Sequence, residues 1–243
     1  MTAPVPSLSV HPLRGVGDIH AGDDLGAVLA AAATSADGTT AMQDGDCVVV
    51  TQKIVSKAEG RSVALDRSEP GRHRRALIEA ESERVLRRRG DLLISETRHG
   101  FVCANAGVDA SNVPEGTVTL LPVDADRSAG RIRSMLARRA GVDVAVIVTD
   151  TFGRPWREGV CDVAIGVAGI AAVVDLRGTN DAGGRPLEVT EVAVADEIAA
   201  AADLVMGKSR GVPAAVVRGL DPAWFVDSSV RRLVRRPSED LFR

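Results

Sequence analysis

VAVIVTDTFGRPWREGVCD, residues 144–162, is the stretch on which the reading of this chain turns. Val144 to Val148 is a short, β-branched apolar run, the pattern of a buried strand. Behind it, Thr149 to Asp162 reads as a loop that crowds Asp150, Arg154, Trp156, Arg157, Glu158 and Asp162 around Gly153, Pro155 and Gly159. Packing gives no reason for so many charges there, whereas a loop anchored by a rigid strand is a common carrier of chemistry. Asp150 offers a hard oxygen ligand for Mg²⁺ or Mn²⁺. Arg154 and Arg157 offer planar forks that match carboxylate or phosphate.

Working outward, residues 8–19 read as a strand entering a Pro/Gly turn, and Asp23 and Asp24 as caps for a helix from Leu25 to Ala33. A polar turn follows, and then a strand from Cys47 to Val50 that continues to Ile54 and Val55. Residues 57–71 read as loop, and residues 72–89 as a helix on the spacing of Leu77, Ile78, Val85 and Leu86. Strands are expected over 92–95, 101–104, 117–121 and 214–218, and a helix over 128–140. Ala164 to Leu176 reads as one or two strands bulged at Gly166 and Gly169. Thr190 reads as the cap of a helix to Met206, with Glu191 in its first turn. Strands and helices mix without strict alternation, which favours an α+β fold, or a mixed sheet, over a doubly wound one.

Composition narrows the function. Net charge is −3, from 30 basic and 33 acidic residues, so no basic excess points to nucleic acid. Three Cys, far apart and without a CxxC, argue against a disulfide scaffold or a zinc site, and a reducing cytoplasm fits. The longest apolar stretch, 163–174, is well short of the roughly 20 residues that span a bilayer. No G-x-S-x-G elbow and no G-x-G-x-x-G after a strand is present.

Four further segments hold candidate chemistry. Gly207-Lys208-Ser209 imitates the end of a phosphate loop, but Ala202 stands where the first Gly belongs, and a helix precedes it where a strand should. A helix C-cap is the default there, with phosphate contacts confined to the loop Lys208–Gly211. Thr51 to Arg61 places Lys53, Lys57 and Arg61 after a strand, a pattern suited to a polyanion or to an ordinary exposed strand end. In HGFVCANAGVDASN (99–112), small residues let a ligand approach the backbone. Asp109 and Asp150 both follow apolar segments and can meet at adjacent strand ends to share a divalent ion; two Asx turns are the plainer alternative. DLRGTNDAGGRP (175–186) would add Arg177, Asp181 and Arg185 to a polar cleft, or serve only as a turn.

These segments in this order (VVVTQKIVSKAEGR, ETRHGFVCANAGVDASNV, VIVTDTFGRPWREGVCDVAIGVAGI, DLRGTNDAGGRPL and ADLVMGKSRGVPAAVVRGL) resemble the coenzyme F-420 gamma-glutamyl ligase family from about His11 to Leu220. The resemblance implies an α+β fold of mixed sheets with packed helices, two interleaved lobes and a homodimer. It implies a GTP-dependent ligase that joins L-glutamate to the lactyl carboxylate of a deazaflavin precursor and extends a gamma-linked tail. Carried over by motif, Pro12, Leu13, Arg14, Gln52, Lys57, Asn112 and the loop Met206, Gly207, Lys208, Ser209, Arg210, Gly211, Val212 and Pro213 would bind GTP. Gln52 stands where many relatives carry Ser. Asp109, Asp150 and Thr151 would hold Mg²⁺ or Mn²⁺, with K⁺ as a further expected ion. Arg154 and Arg157 would join Asp150 in catalysis, and Trp156 and Asp181 would face the acceptor. Some actinobacterial relatives add a C-terminal flavin-reductase-like domain. This chain ends at Arg243 without one, as a stand-alone ligase domain over 1–243 or as the first part of a longer protein. The alternative reading is a non-catalytic module that binds a nucleotide or deazaflavin as a regulator.

Overall fold

The computed structural model describes residues 7–34 and 41–241. Part of the polar turn expected after Ala33, and both extreme ends of 1–243, lie outside them. Strand β1 (Ser9–Pro12) is followed by helix α1 (Leu25–Ala33), capped by the Asp24 carboxylate, which accepts from the Ala27 amide at 3.0 Å. Strand β2 (Cys47–Thr51) stops short of the expected Val55, and helix α2 (Gln52–Ala58) begins at once. Ile54, Val55 and Ala58 share a helical face on the core, and Ser56 Oγ donates to Gln52 Oε1 one turn back at 2.8 Å. Helical spacing outweighs the β preference of Ile and Val.

Strand β3 (Ser62–Ala64) lies in the segment expected as loop. The helix expected over 72–89 is two elements: α3 (Pro70–Glu81), with Pro in its first turn, and then β4 (Ser82–Arg89). Strand β5 (Leu92–Thr97) folds back on β4 through Gly90, at φ +59°, a left-handed position that costs Gly little. Ladder pairing there overrides the helical spacing of Val85 and Leu86. Strand β6 (Val102–Ala104) completes a three-stranded sheet, and β7 (Thr117–Thr119) pairs with β3.

Helix α4 (Ala125–Ala140) starts earlier than expected, at the Asp124 cap, and ends at Gly141 with φ +70°. Strands β8 (Ala145–Gly153) and β9 (Val160–Ala168) form an antiparallel hairpin. The expected loop 149–162 is therefore largely strand, with its turn confined to 154–159. Strands β10 (Val174–Asp175) and β11 (Glu191–Val192) pair. Glu191 thus belongs to a strand, and helix α5 (Val194–Met206) starts beyond the expected Thr190 cap with Asp196 and Glu197 in its first turn. Strand β12 (Ala214–Arg218) is last.

The main sheet has the order β1-β12-β2-β8-β9, with β2 and β8 parallel at its centre and the other pairs antiparallel. Val48, Val50, Val146 and Val148 face α1 and α4, where Leu25, Leu29, Ile132 and Leu136 cover them. Cys47, Val49, Ala145 and Ile147 face α5 through Ala195, Ile198 and Met206. Strands covered on both faces need apolar residues at every position, which is why these runs do not alternate. A smaller core of Ile78, Leu93, Val108, Val118 and Leu120 belongs to a second lobe inserted between α2 and α4. The fold is α+β, and its two lobes interleave along the chain.

A bulge places Ile165 between the pairs Val148–Gly166 and Thr149–Ala164 and resets the register that faces Thr151 with Asp162. Gly166 is required because a Cβ there would lie 2.4 Å from the Ala125 carbonyl oxygen, where α4 crosses β9. Cys47 and Cys103 are buried, Cys161 is half-buried, and all three are free thiols. Among the described residues, no helix is long and apolar enough to cross a membrane.

Candidate active site

The parallel pairing of β2 with β8 ends at Thr51 and Thr149, and a cavity of about 1130 Å³ opens beyond it. Crevices beyond the carboxyl ends of parallel strands are favoured ligand sites, and here β2 turns off into α2 while β8 runs on with β9 alone. The small lobe closes one side through residues 103–112, and the loop after α5 closes the other through residues 206–213.

From α2, Lys53 and Lys57 reach the cavity one turn apart. Lys53 Nζ lies 2.7 Å from Asp109 Oδ2 and donates to Ser111 Oγ at 2.6 Å. Asp109 also accepts from the Ser111 amide at 2.7 Å, and its backbone is bridged to Thr119. Burial alone would raise the Asp109 pKa, but the Lys53 and Ser111 hydrogen bonds outweigh it and hold the carboxyl below its usual value. Just upstream, Asn105 and Ala106 take left-handed φ values of +52° and +51°, and Asn105 Oδ1 accepts from the Leu93 amide. Such strain at a cavity wall persists only where its surroundings over-determine it.

Asp150, on β8, lines the same cavity as Asp109. Burial lifts its pKa to about 7, with further upward push from the Asp109 and Asp162 charges against the Thr151 amide and Lys53. Asp162, on β9, is 2% exposed. Its Oδ1 accepts from Thr151 Oγ1 and from Lys208 Nζ, both at 2.6 Å. Lys208 also pairs with Asp203 at 2.9 Å. Burial works against the Lys208 charge, yet Asp162 and Asp203 hold its pKa above the ordinary value.

Of the residues singled out from sequence, Gln52, Lys57, Asp109, Asn112, Asp150, Thr151, Met206, Gly207, Lys208, Ser209, Gly211, Val212 and Pro213 line this one cavity. Gln52, though it lines the cavity, is almost wholly buried. Pro12, Leu13 and Arg14 are not among the lining residues; Leu13 is in the core, and the neighbouring Val16 to Asp18 reach the cavity instead. Arg210 turns back to the last carbonyls of α5. Arg154, Trp156 and Arg157 lie in the hairpin turn beyond the lining, which ends at Phe152 and resumes at Val160. Asp181 caps its own turn by accepting from the Gly183 and Arg185 amides at 2.8 Å. Sequence reasoning gave no site role to Asp203 or Arg74, which line the cavity, and placed Lys53, which also lines it, only among charges suited to a polyanion or an exposed strand end. Lys53 was visible as a charge beside Lys57. The other two lie on α3 and α5, segments read from sequence only as helices.

Among the described residues, no three His, Cys, Asp or Glu side chains form a ready-made metal centre. The oxygens of Asp109, Asp150 and Thr151 nonetheless suit a hard cation that a ligand's own oxygens complete, the usual manner of Mg²⁺ binding.

Fold and cleft together define a two-lobed α+β protein with a charged, ligand-sized crevice at the end of a mixed sheet. The family description "F420-0:Gamma-glutamyl ligase" matches residues 15–219, and the chain belongs to that family. It is 41% identical to the "Coenzyme F420:L-glutamate ligase" of Methanopyrus kandleri, over 98% of this chain and 99% of that one. It is 43% identical to the protein of the same name from Methanothermobacter thermautotrophicus, over 97% and 99% of the two chains. The Methanococcus maripaludis protein of that name is 39% identical over 83% and 86%.

Proposed function

We propose that this protein is a GTP-dependent ligase that joins L-glutamate to the lactyl carboxylate of the coenzyme F420 precursor and extends the gamma-linked glutamate tail. The observation that carries this reading is the meeting of Asp109 and Asp150 on a cavity that also takes in Lys57 and residues 206–209 and 211–213. The names of the relatives supply the amide bond, the amino acid and the coenzyme.

A carboxylate is a poor acyl donor at neutral pH and must be activated. Its oxygen attacks the γ-phosphorus of GTP, the bond to the β-phosphate oxygen breaks, and GDP leaves with an acyl phosphate formed. The glutamate amine then attacks the acyl carbon, the carbon–oxygen bond to phosphate breaks, and phosphate and one proton leave. Phosphoryl transfer asks mainly for positioning and charge neutralisation, so no side-chain nucleophile is needed. Lys57 and the amides of residues 207–212 hold the phosphates, with Lys208, braced by Asp162 and Asp203, beside them. Asp109, Asp150 and Thr151 would hold divalent ions, which when bound neutralise the triphosphate and polarise its γ-phosphoryl group. The reading carries with it a homodimer, a cytoplasmic location and K⁺ beside the divalent ion.

The test incubates the protein with GTP, Mn²⁺, L-glutamate and the unglutamylated precursor. A mass gain of one glutamyl unit, with GDP released in step, is expected. Absence of turnover would leave a regulatory binding module. Asp150→Ala is expected to abolish ligation while the protein stays folded; near-normal activity there would remove the metal assignment.

A further inference from the structure

We propose that Arg74 is the carboxylate-binding residue of the cleft, its guanidinium fork receiving a carboxylate of the acceptor or of the incoming L-glutamate. This rests on the ligase reading and adds a subsite to it. Arg74 sits on α3 of the small lobe and lines the main cavity. Its helix neighbours are satisfied: Arg72 pairs with Glu69 at 2.9 Å, Arg75 with Asp91 at 2.7 Å, and His73 Nδ1 accepts from the Asp66 amide at 2.9 Å. Arg74 differs from them. Its Nε is buried and has no hydrogen-bond partner among the described residues. A buried donor left unmade costs free energy, and native proteins seldom keep one without a reason.

The charges around it say what the partner is. Lys53 is committed to Asp109, and Lys208 to Asp162 and Asp203. Among the described residues lining the cavity, Lys57 and Arg74 are the cations that no carboxylate matches. An ammonium is a point charge that serves phosphate well, and Lys57 has that role in the ligase reading. A guanidinium presents Nε–H and one Nη–H in parallel, the geometry that a planar carboxylate accepts with both oxygens. Each of the substrates proposed here other than GTP carries such a group.

The experiment measures steady-state ligation by the wild type, Arg74→Gln and Arg74→Lys, varying GTP, L-glutamate and acceptor in turn. In Arg74→Gln, the KM for one of the two carboxylate substrates is expected to rise about ten- to a hundredfold, the span of a charge-assisted hydrogen-bond pair. The KM that moves identifies which carboxylate binds. The GTP KM stays within about twofold, and Arg74→Lys, which keeps the charge but not the fork, recovers only part of the loss. The melting temperature of Arg74→Gln matches the wild type, because the guanidinium holds no protein group among the described residues. An effect on GTP alone, an unchanged KM for both other substrates, or a lowered melting temperature with only kcat reduced would overturn the proposal. If the wild type ligates nothing, the ligase reading fails separately, and calorimetry with L-glutamate and a gamma-linked diglutamate judges Arg74. Weaker binding of either by Arg74→Gln supports the assignment, and equal binding of both ends it.

Discussion

Thr151 and Asp162 face each other across β8 and β9, and the Thr151 hydroxyl donates to Asp162 Oδ1 at 2.6 Å. Lys208 Nζ shares that oxygen from the far wall of the cavity. One buried carboxylate thus ties the hairpin to the loop after α5 and holds a proposed metal residue and a proposed phosphate residue at once.

Asp162→Ala is expected to lower folding stability by roughly 1–3 kcal/mol, the cost of stranding hydrogen-bonding groups in a buried place. The half-exposed Lys208 can turn to water, which keeps the loss out of the upper range. Ligation falls about ten- to a hundredfold, because Thr151 and Lys208 are no longer held in place. Urea unfolding together with a ligation assay checks both. Wild-type values in each would show that Asp162 positions nothing.

The raised Asp150 pKa fixes a pH dependence in chelator. The folded chain keeps a proton on Asp150 up to about pH 7, whereas the unfolded chain releases it near pH 4. Stability from that proton is full below about pH 4, declines as pH rises to about 7, and is constant above that. Asp109 works in the opposite sense at the acid end: its lowered pKa adds stability above the unfolded value, and that is lost as pH falls through the folded one. Asp150→Asn should therefore flatten the decline between about pH 4 and pH 7. Melting curves across pH in EDTA measure it, and parallel slopes for wild type and variant would refute it.

Added Mn²⁺ should raise the melting temperature of the wild type, by about 2.7 kcal/mol of stability at a concentration a hundredfold above its dissociation constant. The shift should shrink at pH 6, where the cation must displace the Asp150 proton. Asp109→Asn with Asp150→Asn should remove it. An undiminished shift in the double variant would place the ion elsewhere.

Two glycine replacements should act with opposite signs. Gly166→Ala drives a Cβ to 2.4 Å from backbone atoms of Ala125, which cannot swing aside, and should cost about 1–3 kcal/mol. Gly130→Ala, inside α4 with open space around its Cβ, should stabilise by about 0.5–1 kcal/mol. Denaturant midpoints decide, and similar values for both would contradict the close packing of α4 on β9.

Much of the main sheet was legible in the chain. Val48 to Val50 and Val144 to Val148 could be little other than buried strands, and Asp24 marked a helix start through local capping chemistry. Two of the misreadings share one cause. Residues 82–89 have helical spacing, yet they form β4 because the partner strand β5 stands ready across the Gly90 turn. Residues 149–153 look like a charged loop, yet they extend β8 because Val160 to Ala164 pair with them. Strand pairing is non-local, and a window of sequence cannot weigh it.

The site divides in the same way. The chemistry of Asp109, Asp150, Lys57 and the Met206–Pro213 loop could be read from residue types and motif order, because a hard ligand, a cation or a glycine turn keeps its character anywhere. Their convergence on one cavity, the burial that lifts Asp150, the Asp162 bridge and the unmatched guanidinium of Arg74 were decided by tertiary structure alone. Those properties depend on which groups from distant segments share a low-dielectric space, and linear order does not encode that distance.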